Sequence, residues 1–350
     1  MDDDCRRRHP PPLPLGADCG GDEDRISCLP DELLQGILLC LGSALAAART
    51  SVLSRRWRRV WTYLPELFLS DNEDLALSFP DTVDAALAAY AAPTLEHLSI
   101  SMPGHIHGPG VPARRVSPWL RFASQRLAGR FFLHVSVDMI AFLDLATMVD
   151  GEEAEELELP ACGSATAITL SLQGSWRLRL AGVFAALTEL EIHLVRMEGR
   201  DISALVQTQC PLLKKLNLLV TLVAVSDVSI HSDLLQSLHY FVRNTRRLEV
   251  VAPILEELSL WCYETEEVLI SAPKLAKVAW DGDAYDPRRH QFANVRNRLC
   301  LLETRLEPRI TPVMKQFNEV DELSLEIFIS QEIAGYECFL NETNKLSKSV

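Results

Sequence analysis

Pro253-Ile254-Leu255-Glu256-Glu257-Leu258-Ser259-Leu260 is a phrase that the chain states several times. It returns as Pro93 to Ile100, as Pro211 to Leu218 and as Pro273 to Trp280, and without its proline as Ala185 to Ile192 and Val320 to Leu325. Proline ends whatever precedes it, and the leucine–polar alternation that follows suits an extended strand with one face buried. The Phe131/Leu133/Val135 alternation, the Leu157/Leu159 pair and Ile168/Leu170/Leu172 fit between these phrases. Leu190 and Leu216 are 26 residues apart, and Leu133 and Leu157 are 24 apart. A period of roughly 20–29 residues built on L-x-x-L-x-L describes leucine-rich repeats, in which each unit is a strand followed by a return to the next strand. The expected fold class is therefore α/β: an irregular solenoid of parallel strands with helix or loop returns. Thr82 to Ala91 and Ser117 to Gln125 read as two helical segments.

Strand parity then assigns the two faces. Leu258 and Leu260 point into the solenoid, and Glu257, Ser259 and Trp261 point out to the concave face. The same parity exposes His97, Ser99 and Ser101, then Glu156 and Glu158, then Glu189, Glu191 and His193. It goes on to Lys215 and Asn217, Lys277 and Asp281, and Glu322 and Ser324. This face reads as acidic with one aromatic anchor, Trp261. Glu191, His193, Asn217, Ser259 and Trp261 are its candidate target-binding residues.

Arg25 to Leu64 has a different period. Leu29-Pro30-Asp31-Glu32 starts a first helix, with proline at the first helical position and two carboxylates at the positive end of the dipole. Leu33, Leu34, Ile37, Leu38 and Leu41 form an apolar stripe. Gly42 stops that helix, Ser43 caps a short second one, and Thr50 or Ser51 can cap a third. In the third, Leu53, Trp57, Val60, Trp61 and Leu64 share one face, Arg55, Arg58 and Arg59 lie roughly opposite, and Arg56 sits at the flank. About forty residues cannot bury this much leucine and tryptophan alone, so part of the surface needs a partner.

Leu29-Pro-Asp-Glu-Leu-Leu34 and the run from Ala48 to Trp61, Ala-Arg-Thr-Ser-Val-Leu-Ser-Arg-Arg-Trp-Arg-Arg-Val-Trp, resemble the opening and close of the F-box in plant F-box/leucine-rich-repeat proteins of the FBD-like type. The Ala-Pro-x-Leu phrases at Ala92, Ala252 and Ala272 resemble that family's repeats, so the likeness covers nearly all of the chain beyond residue 24. Gly42 departs from the family, where proline is frequent, but either residue ends a helix. The resemblance implies docking onto a Skp-type adaptor and through it onto a cullin, with Leu29, Pro30, Leu33, Val52, Leu53, Arg55 and Trp57 as adaptor contacts. It also implies a division into a tail over residues 1–24, an F-box over 25–66, a repeat domain over 67–340 and a polar tail over 341–350. Relatives of this kind usually continue through further repeats and a terminal domain. The region after about Phe317 is therefore expected to be the least stable part of the repeat domain, or to be covered by a partner.

Composition narrows the function further. The net charge of −14 over 350 residues argues against nucleic acid as a partner. The five arginines from Arg49 to Arg59 are a local exception that would steer an acidic partner. Nine cysteines are scattered singly, which suggests neither a disulfide framework nor zinc ligands, and reduced thiols point to cytoplasm or nucleus. No apolar run is long enough to span a membrane. His105 and His107 lack a third metal ligand, and Asp281-Gly282-Asp283 with Asp286 breaks the spacing of a calcium loop. Neither a metal nor a cofactor is implied. Paired glutamates such as Glu152-Glu153 and Glu266-Glu267 have no acid/base spacing. The function that the resemblance implies is a non-catalytic substrate-recognition subunit of a cullin–RING ubiquitin ligase. The alternatives are a repeat scaffold that does not promote degradation and a thiol hydrolase using one of the cysteines.

Overall fold

The computed structural model describes residues 29–71, 78–102, 111–135, 154–262, 265–282, 286–295, 298–306 and 319–327. Both expected tails, His105, His107, Glu152 and Glu153 lie outside these residues, as does Asp283.

Among the described residues fifteen strands form one sheet system, and every pairing in it is parallel. Its main run joins β1 (Glu66–Ser70), β2 (Leu95–Met102), β3 (Leu127–Val135), β5 (Ala167–Ser171), β7 (Glu189–Met197), β8 (Lys215–His231), β9 (Ser237–Val251), β10 (Glu257–Cys262), β12 (Lys277–Gly282), β14 (Arg298–Leu306) and β15 (Glu319–Ile327). The repeated phrase supplies the register. Leu67, Leu98, Phe131, Ile168, Leu190, Leu216, Leu238, Leu258, Val278 and Leu302 are successive partners, and all are buried. A second buried row lies two residues on, from Leu69 and Ile100 through Ile192, Leu218 and Tyr240 to Leu260 and Trp280. Each such side chain contributes about 1.5–3 kcal/mol by leaving water. One side chain per strand in each row makes the leucine phrase the cause of the stacking.

The returns differ from the expectation of helices and loops. Two early ones are helical: α4 (Phe79–Ala89) and α5 (Ala113–Arg126), both longer at their N-terminal ends than the sequence reading had them. Further along, the return is itself a strand. The far halves of β8 and β9 pair from Val228↔Leu248 to His231↔Val251, and β9 then pairs with β11 (Glu267–Ser271), which pairs with β13 (His290–Ala293). A short helix, α6 (Gly199–Ala204), precedes β8. Strands can bend from one run to the other because a single residue takes a positive φ at the corner: Asn244 at 62° in β9 and Leu194 at 61° in β7. Asn244 fixes its corner by donating from Nδ2 to the Leu222 carbonyl at 3.0 Å. Asn244→Ala should cost about 1–2 kcal/mol in chemical denaturation through left-handed strain and the lost bond. Asn244→Gly should recover only the strain.

Glu155 to Leu159 was expected to be a strand of the main run. It forms β4 (Glu156–Pro160), which pairs with β6 (Arg177–Ala181) instead. Leu133 pairs with Leu170, 37 residues on, rather than with a strand 24 residues on. Glu156 and Glu158 therefore leave the candidate binding face, and Glu158 pairs with Arg179 at 2.8 Å. Apolar alternation alone does not say which run a strand joins.

The N-terminal unit comprises α1 (Asp31–Leu39), α2 (Ala44–Arg49), α3 (Trp57–Val60) and two 3₁₀ turns, Thr50–Val52 and Trp61–Tyr63. Pro30 is the cap residue of α1 rather than its first helical residue. Gly42 takes φ +64° after α1, and Ser43 caps α2 by accepting from the Ala46 N–H at 3.2 Å. The expected third helix is broken. Thr50 turns its hydroxyl back to the Ala47 carbonyl, and Ser54, not Thr50 or Ser51, accepts from the Trp57 N–H, at 3.4 Å.

This unit runs directly into the sheet. The boundary read at Glu66/Leu67 falls inside β1, whose Leu67 and Leu69 already occupy the two buried rows. Tyr90, 4% exposed, places its hydroxyl 2.9 Å from the carbonyls of both Leu64 and Thr94. Tyr90→Phe should lower stability by about 1–2 kcal/mol, read by chemical denaturation, because the buried carbonyls lose their shared donor.

Candidate docking surfaces

The apolar stripe of α1 divides into two. Leu34 and Leu38 are 0% and 1% exposed and join Ala47, Trp57, Val60, Trp61 and Leu64 in a small core of the helical unit. Leu33 and Ile37 on α1 and Leu41 in the turn just past it are 44–55% exposed and follow one another at spacings of four residues. The 3₁₀ turn before α3 leaves Val52 at 84% and Leu53 at 65% exposure. Pro30 and Arg55 are exposed, and Leu29 is half-buried. Trp57 corrects the sequence reading. At 4% exposure it belongs to the core, so a substitution there acts on folding and not by direct contact. Leu53 leaves the helix face assigned to it and faces outward.

Arg56 also has a structural role. Its guanidinium binds the Asp31 carboxylate and the Leu29 carbonyl, which ties the break before α3 to the start of α1. Arg58 donates to the Ser51 carbonyl at 3.3 Å. Arg55, Arg58 and Arg59 are exposed.

The outward face of the main run has three rows of its own across its middle strands. The first reads Glu189, Lys215, Ser237, Glu257 and Lys277. Its charges pair across strands, Lys215 with Glu189 at 2.9 Å and Lys277 with Glu257 at 2.5 Å. The Lys277 hydrogen bond holds the Glu257 carboxyl below its usual pKa. The second row reads Phe132, Thr169, Glu191, Asn217, His239 and Ser259. In the third, His134, Ser171, His193, Leu219 and Phe241 are partners, and Trp261 follows on β10. Phe241 and Trp261 meet edge to face at 5.8 Å.

Glu191, His193, Asn217, Ser259 and Trp261 thus share two neighbouring rows over four consecutive strands. At ~4.8 Å per strand they span about 15 Å. His239, Leu219 and Phe241 fill the places between them and were missed. His239 and Phe241 belong to Leu235-Gln-Ser-Leu238-His-Tyr240-Phe241, a repeat phrase without its proline and with tyrosine as the last buried residue, and Leu219 directly follows the Pro211 to Leu218 phrase. With Phe132, Phe241 and several histidines in view, this face is aromatic and imidazole-rich, with much of its acid neutralised by lysine. That replaces the expectation of an acidic face with one aromatic anchor.

Burial lowers the pKa of His134 and of His193, keeping both uncharged at neutral pH. Ser171 Oγ lies 3.4 Å from His193 Nδ1, which invites comparison with a nucleophile and base. Ser171, however, is at the end of a strand paired on both sides, and no sharp turn presents it or its amide to an oxyanion. The buried thiols of Cys162 and Cys210 are pushed up to about 11 and about 12, the opposite of an activated thiolate. Among the described residues no group of three or more His, Cys, Asp or Glu is placed to hold a metal ion. No helix among them is long and apolar enough to cross a membrane.

Comparison with known proteins bears on the repeats first. Residues 143–280 match the family model for the leucine-rich repeats of the FBD-associated F-box protein At5g56370. From Arabidopsis thaliana, F-box/LRR-repeat protein At4g14103 is 33% identical over 129 residues, covering 35% of this chain and 32% of its own length. F-box/FBD/LRR-repeat protein At2g04230 is 46% identical over 91 residues, 23% of this chain and 20% of its own length. The putative F-box/FBD/LRR-repeat protein At3g49480 is 31% identical over 205 residues, 55% of this chain and 43% of its own. Each match spans less than half of the relative's length. No solved structure matches the chain. Over the matched stretches, then, the chain is similar to plant F-box/FBD/leucine-rich-repeat proteins, and its repeat region to the leucine-rich repeats of an FBD-associated F-box protein.

Proposed function

We propose that this protein is the substrate-recognition subunit of a cullin–RING ubiquitin ligase, with its helical unit docked on a Skp-type adaptor and its repeat face holding a target protein. The observation that carries the reading is the set of large apolar side chains the helical unit leaves in water: Val52, Leu53, Leu33, Ile37 and Leu41. A unit whose own core is complete without them keeps them for a partner. Chemistry on the target then belongs to other subunits, and the protein itself is non-catalytic. It would act in cytoplasm or nucleus, where the adaptor and cullin are. Co-expression with a Skp-type adaptor and cullin followed by size-exclusion chromatography tests this. One co-eluting complex is the expected result, and separate elution overturns the reading. A rise in target abundance when the protein is removed separates a ligase subunit from a scaffold.

The arginines make a kinetic prediction. Arg55, Arg58 and Arg59 stand exposed beside Val52 and Leu53 in sequence, so association with an acidic adaptor should be steered and therefore slowed by salt. Screening sets in beyond about 8 Å at physiological ionic strength. Stopped-flow on-rates should fall with added chloride, and the slope should flatten in Arg55→Gln/Arg58→Gln/Arg59→Gln. A salt-independent wild-type rate would remove the arginines from docking.

A further inference from the structure

Tight turns lead into the strands of the main run, and together they make a rim that is apolar along its middle. Level with β7, β8, β9, β10 and β12 one row of the rim reads Ala186, Leu212, Leu234, Ile254 and Lys274, each three residues before its strand begins. Leu212 and Leu234 are 45% and 38% exposed, and Ile254 is half-buried. The residues that follow them, Leu213, Leu235 and Leu255, are buried in the core of the repeats, and the three rim residues are not part of it.

The charges beside this ridge have a symmetry of their own. One residue before each strand stand Thr188, Lys214, Gln236, Glu256 and Ala276. Their backbones are tied level to level: the N–H groups of Lys214, Gln236 and Glu256 donate at 2.8 Å to the carbonyls of Thr188, Lys214 and Gln236. Lys214 and Glu256 are exposed, and among the described residues neither forms an ion pair. They stand one level to either side of Gln236. The next row, Glu189, Lys215, Ser237, Glu257 and Lys277, also has opposite charges at equal distances from β9. Reversing the order of either row exchanges every charge for its opposite. A two-fold contact has this requirement, because an isologous interface sets each level on one side of the axis against the level equally far on the other side. The second row is already paired within the chain, as Lys215 with Glu189 and Lys277 with Glu257, so Lys214 and Glu256 carry the argument.

We infer that this rim is an interface between two copies of the chain, related by a two-fold axis at the level of β9. Leu234 then meets its own copy, Leu212 lies against the partner's Ile254, and Lys214 pairs with the partner's Glu256. Asp233, exposed one residue before Leu234, also faces its own copy and opposes the contact. Five levels at ~4.8 Å per strand span about 19 Å, which suits a small and reversible interface. The rim lies apart from the exposed side chains of the helical unit and from the aromatic rows, so this inference and the functional reading can fail separately.

The test is sedimentation velocity of the full-length protein over a concentration series. A reversible monomer–dimer equilibrium is expected. Leu234→Asp should weaken it about a hundredfold with far-UV circular dichroism unchanged, since the side chain is already in water. Lys214→Glu and Glu256→Lys should each weaken it about tenfold, because both copies of the pair become repulsive. Mixing these two variants should restore association, since every contact between unlike chains regains opposite charges; the double variant Lys214→Glu/Glu256→Lys should restore it too. Asp233→Asn should tighten it about threefold. A wild type that stays monomeric throughout, or a dimer indifferent to Leu234→Asp, overturns the inference. Single charge variants that weaken association without rescue in the mixture overturn the two-fold arrangement.

Discussion

Val52→Asp combined with Leu53→Asp should abolish capture of a Skp-type adaptor while leaving the melting temperature of the protein unchanged. Both side chains are already in water, at 84% and 65% exposure, so aspartate removes no packing from the free protein. In a complex each would place a carboxylate in an apolar contact. Losing an interface anchor commonly costs ~2 kcal/mol or more, so two together should weaken binding by roughly a thousandfold. Trp57→Ala gives the contrasting outcome. It should also abolish capture, but by emptying the core that Trp57 shares with Leu34, Leu38 and Trp61, at about 3–5 kcal/mol. Adaptor pull-down alone cannot tell the two apart; limited proteolysis can, because only Trp57→Ala should expose the helical unit to cleavage. Undiminished capture by the Val52/Leu53 double variant would remove this surface from adaptor docking.

The difference between these two variants shows where sequence pattern stops being informative. Helical period groups Leu53 with Trp57, Val60 and Trp61, and it groups Leu33 with Leu34. Period finds the apolar arc but not its inner edge. Which half turns inward depends on the break after Arg49, where Thr50 bonds back to Ala47 and Arg56 reaches across to Asp31. Neither contact has a periodic signal. The solenoid was more legible, because L-x-x-L-x-L fixes strand, face and register together. Every phrase introduced by proline became a strand of the main run, with its leucines in the expected rows.

The misses in the repeat region have two physical causes. Leu157/Leu159 obey the same alternation as a main-run strand but pair with β6, since alternation reports one buried face and not which neighbour covers it. Leu238/Tyr240 and Leu299/Leu302 lack the proline that announced the others, yet both pairs are buried in strands of the main run. Missing β9 also hid His239 and Phe241 from the candidate face. The outward position of Arg196 was out of reach for a related reason. Arg196 follows the Leu194 bulge, so simple parity from Leu190 puts it inward, and only the positive φ at Leu194 restores it to the outer face.

Trp280→Ala should be the most damaging single truncation in the repeat region, and its effect should be local. Trp280 is 2% exposed on β12, where Leu260 and Thr304 are its partners on either side. Its ring also reaches the return strand, lying 4.9 Å from His290 and 6.3 Å from Phe292 of β13. Among the described residues β13 pairs with β11 alone, so the indole is a principal tie between that strand and the main run. His290 depends on the same arrangement: it is 3% exposed, and its Nδ1 accepts from the Asp286 N–H at 2.9 Å. Replacing a buried tryptophan by alanine costs about 3–5 kcal/mol, and collapse around the cavity is limited where two runs of sheet converge. A solenoid couples each unit mainly to its neighbours, so that cost should not spread evenly. Hydrogen exchange should show lost protection from β11 to β14, with β2, β3, β5 and β7 protected as in the wild type. Trp280→Phe should recover most of it by keeping a ring against His290. Equal loss of protection from β2 to β14 would instead show that the repeats unfold as one cooperative unit, and the nearest-neighbour account of this solenoid would fall.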